Sequence, residues 1–263
     1  TSSSILSIFC PLLKLFSNSD PTAPRNKGME TALTGFSSMA RLPWGSQVSP
    51  LAASRPQPPL PIKIYEFEAC PFCRLVREVI TFLDLEVEVY PCPKGSQFHR
   101  AIVEEKGGRQ MFPFLVDENT GVSMYESSEI VRYLLRTYAN GAETPPFLFQ
   151  SVLLSGWVPT LLRAGRGMMR FDRAVEEQPR KLLELYSYEN NQFCRLVREA
   201  LCELELPYKL ISAGKGEEAV AVRLEQGIQG STRCPYLVDP NTDKQVSDSA
   251  EIMKYLFENY VRA

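Results

Sequence analysis

The stretch Glu68-Ala-Cys-Pro-Phe-Cys-Arg-Leu-Val-Arg-Glu78 returns as Glu189-Asn-Asn-Gln-Phe-Cys-Arg-Leu-Val-Arg-Glu199, with Phe72 to Glu78 repeated unchanged. An internal repeat of this kind restricts the chain to two copies of one fold. Equivalent residues keep nearly constant offsets: 121 from Cys73 to Cys194, and 122 from Pro113 to Pro235, from Ser127 to Ser249 and from Tyr138 to Tyr260. One short insertion separates the copies. The copies differ where chemistry would be expected, because Cys70-Pro-Phe-Cys73 becomes Asn191-Gln-Phe-Cys194 and the first thiol is lost.

The 263 residues, 44% apolar and 23% charged, suffice for two small cores. A formal charge of -2 gives no support for a nucleic-acid surface, which needs a concentrated positive patch. The seven cysteines, at 10, 70, 73, 92, 194, 202 and 234, are scattered unlike the framework of a small secreted domain and suit a reducing compartment. His99 is the single histidine, so imidazole-based acid–base chemistry is disfavoured and sulfur becomes the expected carrier of chemistry.

Residues 1–60 read as a low-complexity segment, transit-related or disordered. They are rich in Ser, Pro, Thr and Ala, with Lys14, Arg25, Lys27, Arg41 and Arg55 against Asp20 and Glu30. The apolar run Ile5 to Phe16 is shorter than the ~20 residues a bilayer span requires. From Ile62 the pattern is regular. Ile62 to Phe67 alternates as a strand, and Leu75, Val76, Val79, Ile80 and Leu83 mark one helical face. Further signals give the order β-α-β-α-β-β-α over 61–142, and the order repeats over 181–263. Between them, 143–180 is an apolar connector of short helices. A competing reading makes 147–171 a protein or membrane-surface contact through Trp157, Met168 and Met169 beside Arg163, Arg166 and Arg170.

Cys70 lies between a strand and a helix, where backbone N–H groups lack intrahelical acceptors and stabilise a thiolate. Cys70 is therefore the expected nucleophile. Cys73, one turn on, can resolve a mixed disulfide formed there. Two alternatives stay open: a structural pair of buried thiols, and a zinc site completed by Cys92 and His99. An attacking Cys70 needs access from a groove.

The Cys-Pro-Phe-Cys motif, the Phe112-Pro113 step and Glu126-Ser127-Ser-Glu129-Ile130 together resemble a glutaredoxin or the N-terminal domain of a glutathione S-transferase. The nearest likeness is to plant plastid proteins with two such domains in tandem; prostaglandin E synthase type 2 shares the Cys-Pro-x-Cys motif. This resemblance implies an α/β fold of two thioredoxin-like domains, each with a four-stranded mixed sheet. It implies glutathione as cofactor, no metal, and protein thiols or disulfides as partners. Cys70 and Cys73 would be catalytic. Phe72, Phe112, a cis-Pro113, Glu126 and Ser127 would hold glutathione, its γ-glutamyl carboxylate lying at a helix N-terminus. The implied activity is thiol–disulfide oxidoreduction, with a non-catalytic binding platform and an isomerase as alternatives. With the transit-like N-terminus, the resemblance points to the chloroplast ahead of the mitochondrion. The second copy keeps Pro235, Asp248 and Ser249 without the nucleophile, and a Cys194–Cys234 disulfide is conceivable there. The connector is too short for the all-helical domain of conjugating transferases.

Overall fold

The structure, a computed structural model, describes residues 27–50, 56–139, 148–215 and 233–262. The first repeat contains β1 (Ile62–Glu66), α2 (Pro71–Phe82), β2 (Val87–Pro91), α3 (His99–Gly107), β3 (Phe114–Asp117), β4 (Val122–Met124) and α4 (Ser127–Tyr138); α1 (Lys27–Met39) precedes it. After α5 (Leu148–Ser155) and α6 (Trp157–Leu162), the second contains β5 (Leu183–Ser187), α7 (Gln192–Glu203), β6 (Tyr208–Ser212), β7 (Tyr236–Asp239), β8 (Lys244–Ser247) and α8 (Ser249–Asn259). The counterpart of α3 would fall in 216–232, outside the described residues.

In each half a parallel pair, β1 with β2 or β5 with β6, is flanked by an antiparallel hairpin. The two thioredoxin-like halves are not separate beads. β2 pairs antiparallel with β6, Val87 opposite Leu210 and Val89 opposite Tyr208, giving one eight-stranded sheet in the order β4-β3-β1-β2-β6-β5-β7-β8. This pairing covers what would otherwise be two exposed edges. One apolar core spans both repeats, from Ile62 and Leu75 to Leu185 and Val197.

Helix α2 shows why the repeated heptapeptide is identical in both copies. Its apolar stripe faces the core, but Arg74, Arg77 and Glu78 on the opposite side are buried too, as are Arg195, Arg198 and Glu199 of α7. A surface helix would leave these charges in water. Here each polar face meets the other repeat: Arg77 Nε donates to Glu189 at 2.7 Å, and Arg198 Nε donates to Glu68 at 3.1 Å.

The repeat extends further towards the N-terminus than the sequence reading placed it. Residues 27–50, expected to be low-complexity, contain α1 and deliver Arg41, which is 1% exposed and donates to Glu78 at 2.9 Å. Arg163, offset by 122, donates to Glu199 at 3.0 Å. Gly45 and Gly167 follow these arginines at equal spacing with φ of +74° each; a Cβ on Gly167 would lie 2.7 Å from the Glu68 Cβ, and one on Gly45 3.0 Å from the Glu189 Cβ. Only glycine allows that approach without strain. Of the 1–60 span given the transit reading, residues 1–26 and 51–55 lie outside the described residues.

The contact-surface reading of 147–171 needs correction at its arginines. Arg163, Arg166 and Arg170 are buried against Glu199, Glu203 and Glu205, and Met168 is buried beside Ala69; Val158 and Leu161 remain exposed. Guanidinium groups matched by buried carboxylates are internal pairs, unavailable to a membrane surface. Among the described residues no helix is long and apolar enough to cross a membrane.

The ion cluster sets an acid limit on stability. Burial would raise Glu189 and Glu199, but Arg198, Arg77 and Arg74 around the first, and Arg163 and Arg195 around the second, hold both at about 2 against an ordinary 4.5. Because the folded values are depressed, the unfolded chain binds more protons between them. This stability is present above pH 4.5 and is lost as pH falls towards 2. Thermal unfolding followed by circular dichroism should show the melting temperature dropping steeply through that window.

Candidate functional site

β1 ends at Glu66, and the chain turns into α2 through Cys70, whose N–H donates to the Phe67 carbonyl at 3.1 Å. Cys70 is the N-cap of α2, with an extended backbone (φ -78°, ψ 120°), and Pro71 starts the helix where a missing N–H costs nothing. The Cys70 Sγ accepts the Cys73 N–H at 3.3 Å. Burial alone would raise the Cys70 thiol. The hydrogen bonds from the Cys73 side chain and from the Cys73 and Phe72 N–H groups outweigh it and hold Cys70 below its ordinary value. Cys73 goes the other way, pushed well up by burial and by its hydrogen bond to Cys70. The two thiols therefore differ in character: Cys70 ionises more readily than Cys73.

Asn191 occupies the Cys70 position in the second repeat. Its side-chain oxygen accepts the Phe193 N–H at 2.8 Å and the Cys194 N–H at 3.1 Å. The amide does the capping that the Cys70 sulfur does in the first copy, and has no nucleophile to offer. Burial, opposed by Arg198, raises Cys194, and burial beside Cys194 raises Cys234, a free thiol in the structure.

The residues expected to bind glutathione gather at the same end of the sheet. The Phe112–Pro113 and Cys234–Pro235 peptide bonds are both cis. β3 begins directly after Pro113 and pairs with β1, Phe114 opposite Tyr65, so the proline step lies beside the strand that leads to Cys70. The Phe112 and Phe67 rings meet edge-to-face with centroids 6.0 Å apart, and the Arg100 guanidinium lies over the Phe112 ring at 4.8 Å. Hairpin register (Leu115 opposite Met124) carries Glu126 alongside Pro113. Glu126 has φ +67°, is exposed and makes no side-chain bond to its helix, whereas its counterpart Asp248 caps Ala250 N–H at 2.8 Å. Capping thus accounts for Asp248 and leaves Glu126 free of that duty. Ser127, buried, opens α4.

Access to the site differs from what an open nucleophile needs. Cys70 is 5% exposed and Cys73 1%. The connector covers the motif: the Trp157 ring stands edge-on to Phe72 at 6.4 Å, and the Thr160 hydroxyl donates to the Ala69 carbonyl at 2.6 Å. Arg41 holds this cover through Ser151 at 2.9 Å. Sequence reasoning missed the cover, since nothing in local spacing ties Trp157 or Thr160 to Cys70.

Among the described residues no group of three or more His, Cys, Asp or Glu side chains is arranged to hold a metal ion. No curated protein matches the chain. Among solved structures, a trimeric glutathione transferase of Leishmania, TDR1, is similar at 12% identity, covering 78% of this chain and 68% of that one with a TM-score of 0.28. Residues 64–144 and 185–263, together more than half of the chain, match the model of the glutathione S-transferase N-terminal domain. With both repeats matched, the chain belongs to the glutathione S-transferase N-terminal domain family and carries that domain twice.

Proposed function

We propose that the protein is a glutathione-linked thiol–disulfide oxidoreductase in which Cys70 attacks and Cys73 resolves. The observation that carries this reading is the placement of the thiols at one helix N-terminus, where Cys70 Sγ caps α2 by accepting the Cys73 N–H at 3.3 Å; the electrostatics agree in direction, lowering Cys70 and raising Cys73. A thiolate is the attacking species in disulfide exchange, and a second thiol one turn away releases the product. Family membership and the uncommitted Glu126 beside Ser127 support glutathione as the ligand, its γ-glutamyl carboxylate lying at the N-terminus of α4. A chloroplast location belongs to the same proposal and rests on the transit-like composition of 1–60 together with the resemblance to plastid proteins that carry two such domains. Cys73→Ser protein exposed to glutathione disulfide should gain one glutathionyl group, which peptide mass spectrometry places on Cys70. Modification at another thiol with Cys70 unmodified would refute the assignment.

One observation favours the platform reading: Cys70 is 5% exposed, and α6 packs on its neighbours Ala69 and Phe72. In that case the dithiol is a packing element and the protein works as a binding scaffold. Native Cys73→Ser would then take up no glutathione.

A further inference from the structure

The segment 43–50 reaches the last residue of α2 in the first repeat as 165–172 reaches the last residue of α7 in the second, and their backbone contacts coincide. Val48 N–H donates to the Lys215 carbonyl and Arg170 N–H to the Lys94 carbonyl, each at 2.9 Å. One residue on, Ser49 N–H donates to the Phe82 carbonyl at 2.8 Å and Phe171 N–H to the Glu203 carbonyl at 2.7 Å. Positions 49 and 171 are therefore equivalent in space as well as in sequence, at the offset of 122 that relates Arg41 to Arg163. Their side chains differ greatly in volume. In the second repeat the Phe171 ring packs on the core, edge-to-face with Phe257 at 6.4 Å and under the Arg173 guanidinium at 5.3 Å. In the first repeat Ser49 supplies no ring, and Leu135 holds the place of Phe257.

No side chain of the described residues takes up that space. A cavity of about 210 Å³ lies there, walled by Trp44, Ser49, Glu78, Phe82, Leu135 and Leu148 among other residues. The wall has changed in character too. Trp44 and Phe82 hold the places of Arg166 and Glu203, which in the second repeat close on each other as an ion pair. The first repeat thus carries two aromatic side chains where the second has a charged clasp, and a hydroxyl where the second has a phenyl ring. Glu78 is the one charged group among the described residues of the wall, and Arg41 holds both of its oxygens, from Nε at 2.9 Å and from Nη2 at 2.5 Å. A charged ligand would lose its hydration there and find no free counter-charge.

We propose that this cavity is a binding site for a small neutral aromatic molecule, one ring with a short substituent. The second repeat indicates the occupant, because it closes the same space with a phenyl ring of its own chain. An apolar cavity of ~150 Å³ holds a benzene molecule, so 210 Å³ admits a ring that carries a hydroxyl or a small side chain. Trp44 and Phe82 offer rings for stacked or edge-on contact, and the Ser49 hydroxyl offers a hydrogen bond to a polar substituent. Cys70 caps one end of α2 and Phe82 forms the other, about 18 Å away at 1.5 Å per residue. The site is therefore separate from the dithiol and independent of the oxidoreductase reading.

Fluorine NMR of the full chain labelled with 5-fluorotryptophan tests this, because the two tryptophans are Trp44 at the cavity and Trp157 on α6. Phenol at neutral pH should shift the Trp44 resonance saturably and leave that of Trp157 in place, with Trp157→Phe assigning the two. Ser49→Phe, which installs the residue of the second repeat, should abolish the shift while the melting temperature holds or rises. Ser49→Leu, a smaller filling residue, should weaken phenol binding by about tenfold or more, the scale of one or two methylenes in a hydrophobic pocket. Benzoate, the charged counterpart of phenol, should leave the Trp44 resonance unmoved. A Trp44 resonance that phenol does not shift in the folded protein overturns the proposal, as does an equal shift in folded Ser49→Phe protein. Unweakened binding to Ser49→Leu overturns it as well, whether or not Ser49→Phe folds, and benzoate binding as tight as that of phenol overturns the neutral-ligand assignment.

Discussion

Arg198→Leu is expected to lose about 3–5 kcal/mol of stability, because a buried charge pair broken on one side leaves its partners uncompensated. The partners are Glu68, reached by two nitrogens of Arg198, and Glu189, 3.1 Å from Nη2. Against a typical total of ~5–15 kcal/mol that loss takes the protein close to unfolding at room temperature. Arg77→Leu should behave alike, since Arg77 holds Glu189 as Arg198 holds Glu68. The double variant Arg198→Leu with Glu68→Met should recover much of the loss, because apolar replacement of a whole buried pair is often neutral or better. Urea unfolding of Arg198→Leu, Glu68→Met and the double gives the coupling energy directly. A wild-type midpoint for Arg198→Leu would mean that the repeats are not joined through these charges.

The second large effect is on chemistry. Cys70→Ser should bring reduction of a glutathione mixed disulfide down to the uncatalysed rate, because a hydroxyl at the helix N-terminus does not ionise as the Cys70 thiol does. Cys194→Ser should retain turnover, since Cys194 is fully buried in a repeat whose N-cap is Asn191. A steady-state assay of the two variants separates them. Turnover surviving in Cys70→Ser and lost in Cys194→Ser would place the active centre in the other half.

Much of this was legible in residues whose signal is local. The spacing of Leu75, Val76, Val79 and Ile80, the Cys70 cap with Pro71, and the hairpin around Gly121 each follow from short-range geometry. What sequence hid was tertiary. Arg74, Arg77 and Glu78 look like the solvent face of an amphipathic helix; the two arginines become internal because Glu189 of the second copy meets them, and Glu78 because Arg41 reaches it from the segment ahead of β1. Arg41 and Gly45 sit in a Ser- and Pro-rich stretch that reads as a leader. Their match to Arg163 and Gly167 at the same offset of 122 was the available sign that the repeat starts earlier. The cover over Cys70 left no such sign, because Trp157 and Thr160 meet the motif through space alone.

The central claim is that electrostatics, not exposure, selects the reactive thiol, and the two criteria disagree here. Cys234 is more exposed than Cys70, yet burial raises it while the helix N-terminus lowers Cys70. Timed alkylation of the native reduced protein at neutral pH, read by peptide mass spectrometry, puts them in direct competition. The account predicts that Cys70 is labelled before every other described cysteine. Labelling of Cys234 first, or of Cys70 only after denaturant is added, would contradict it.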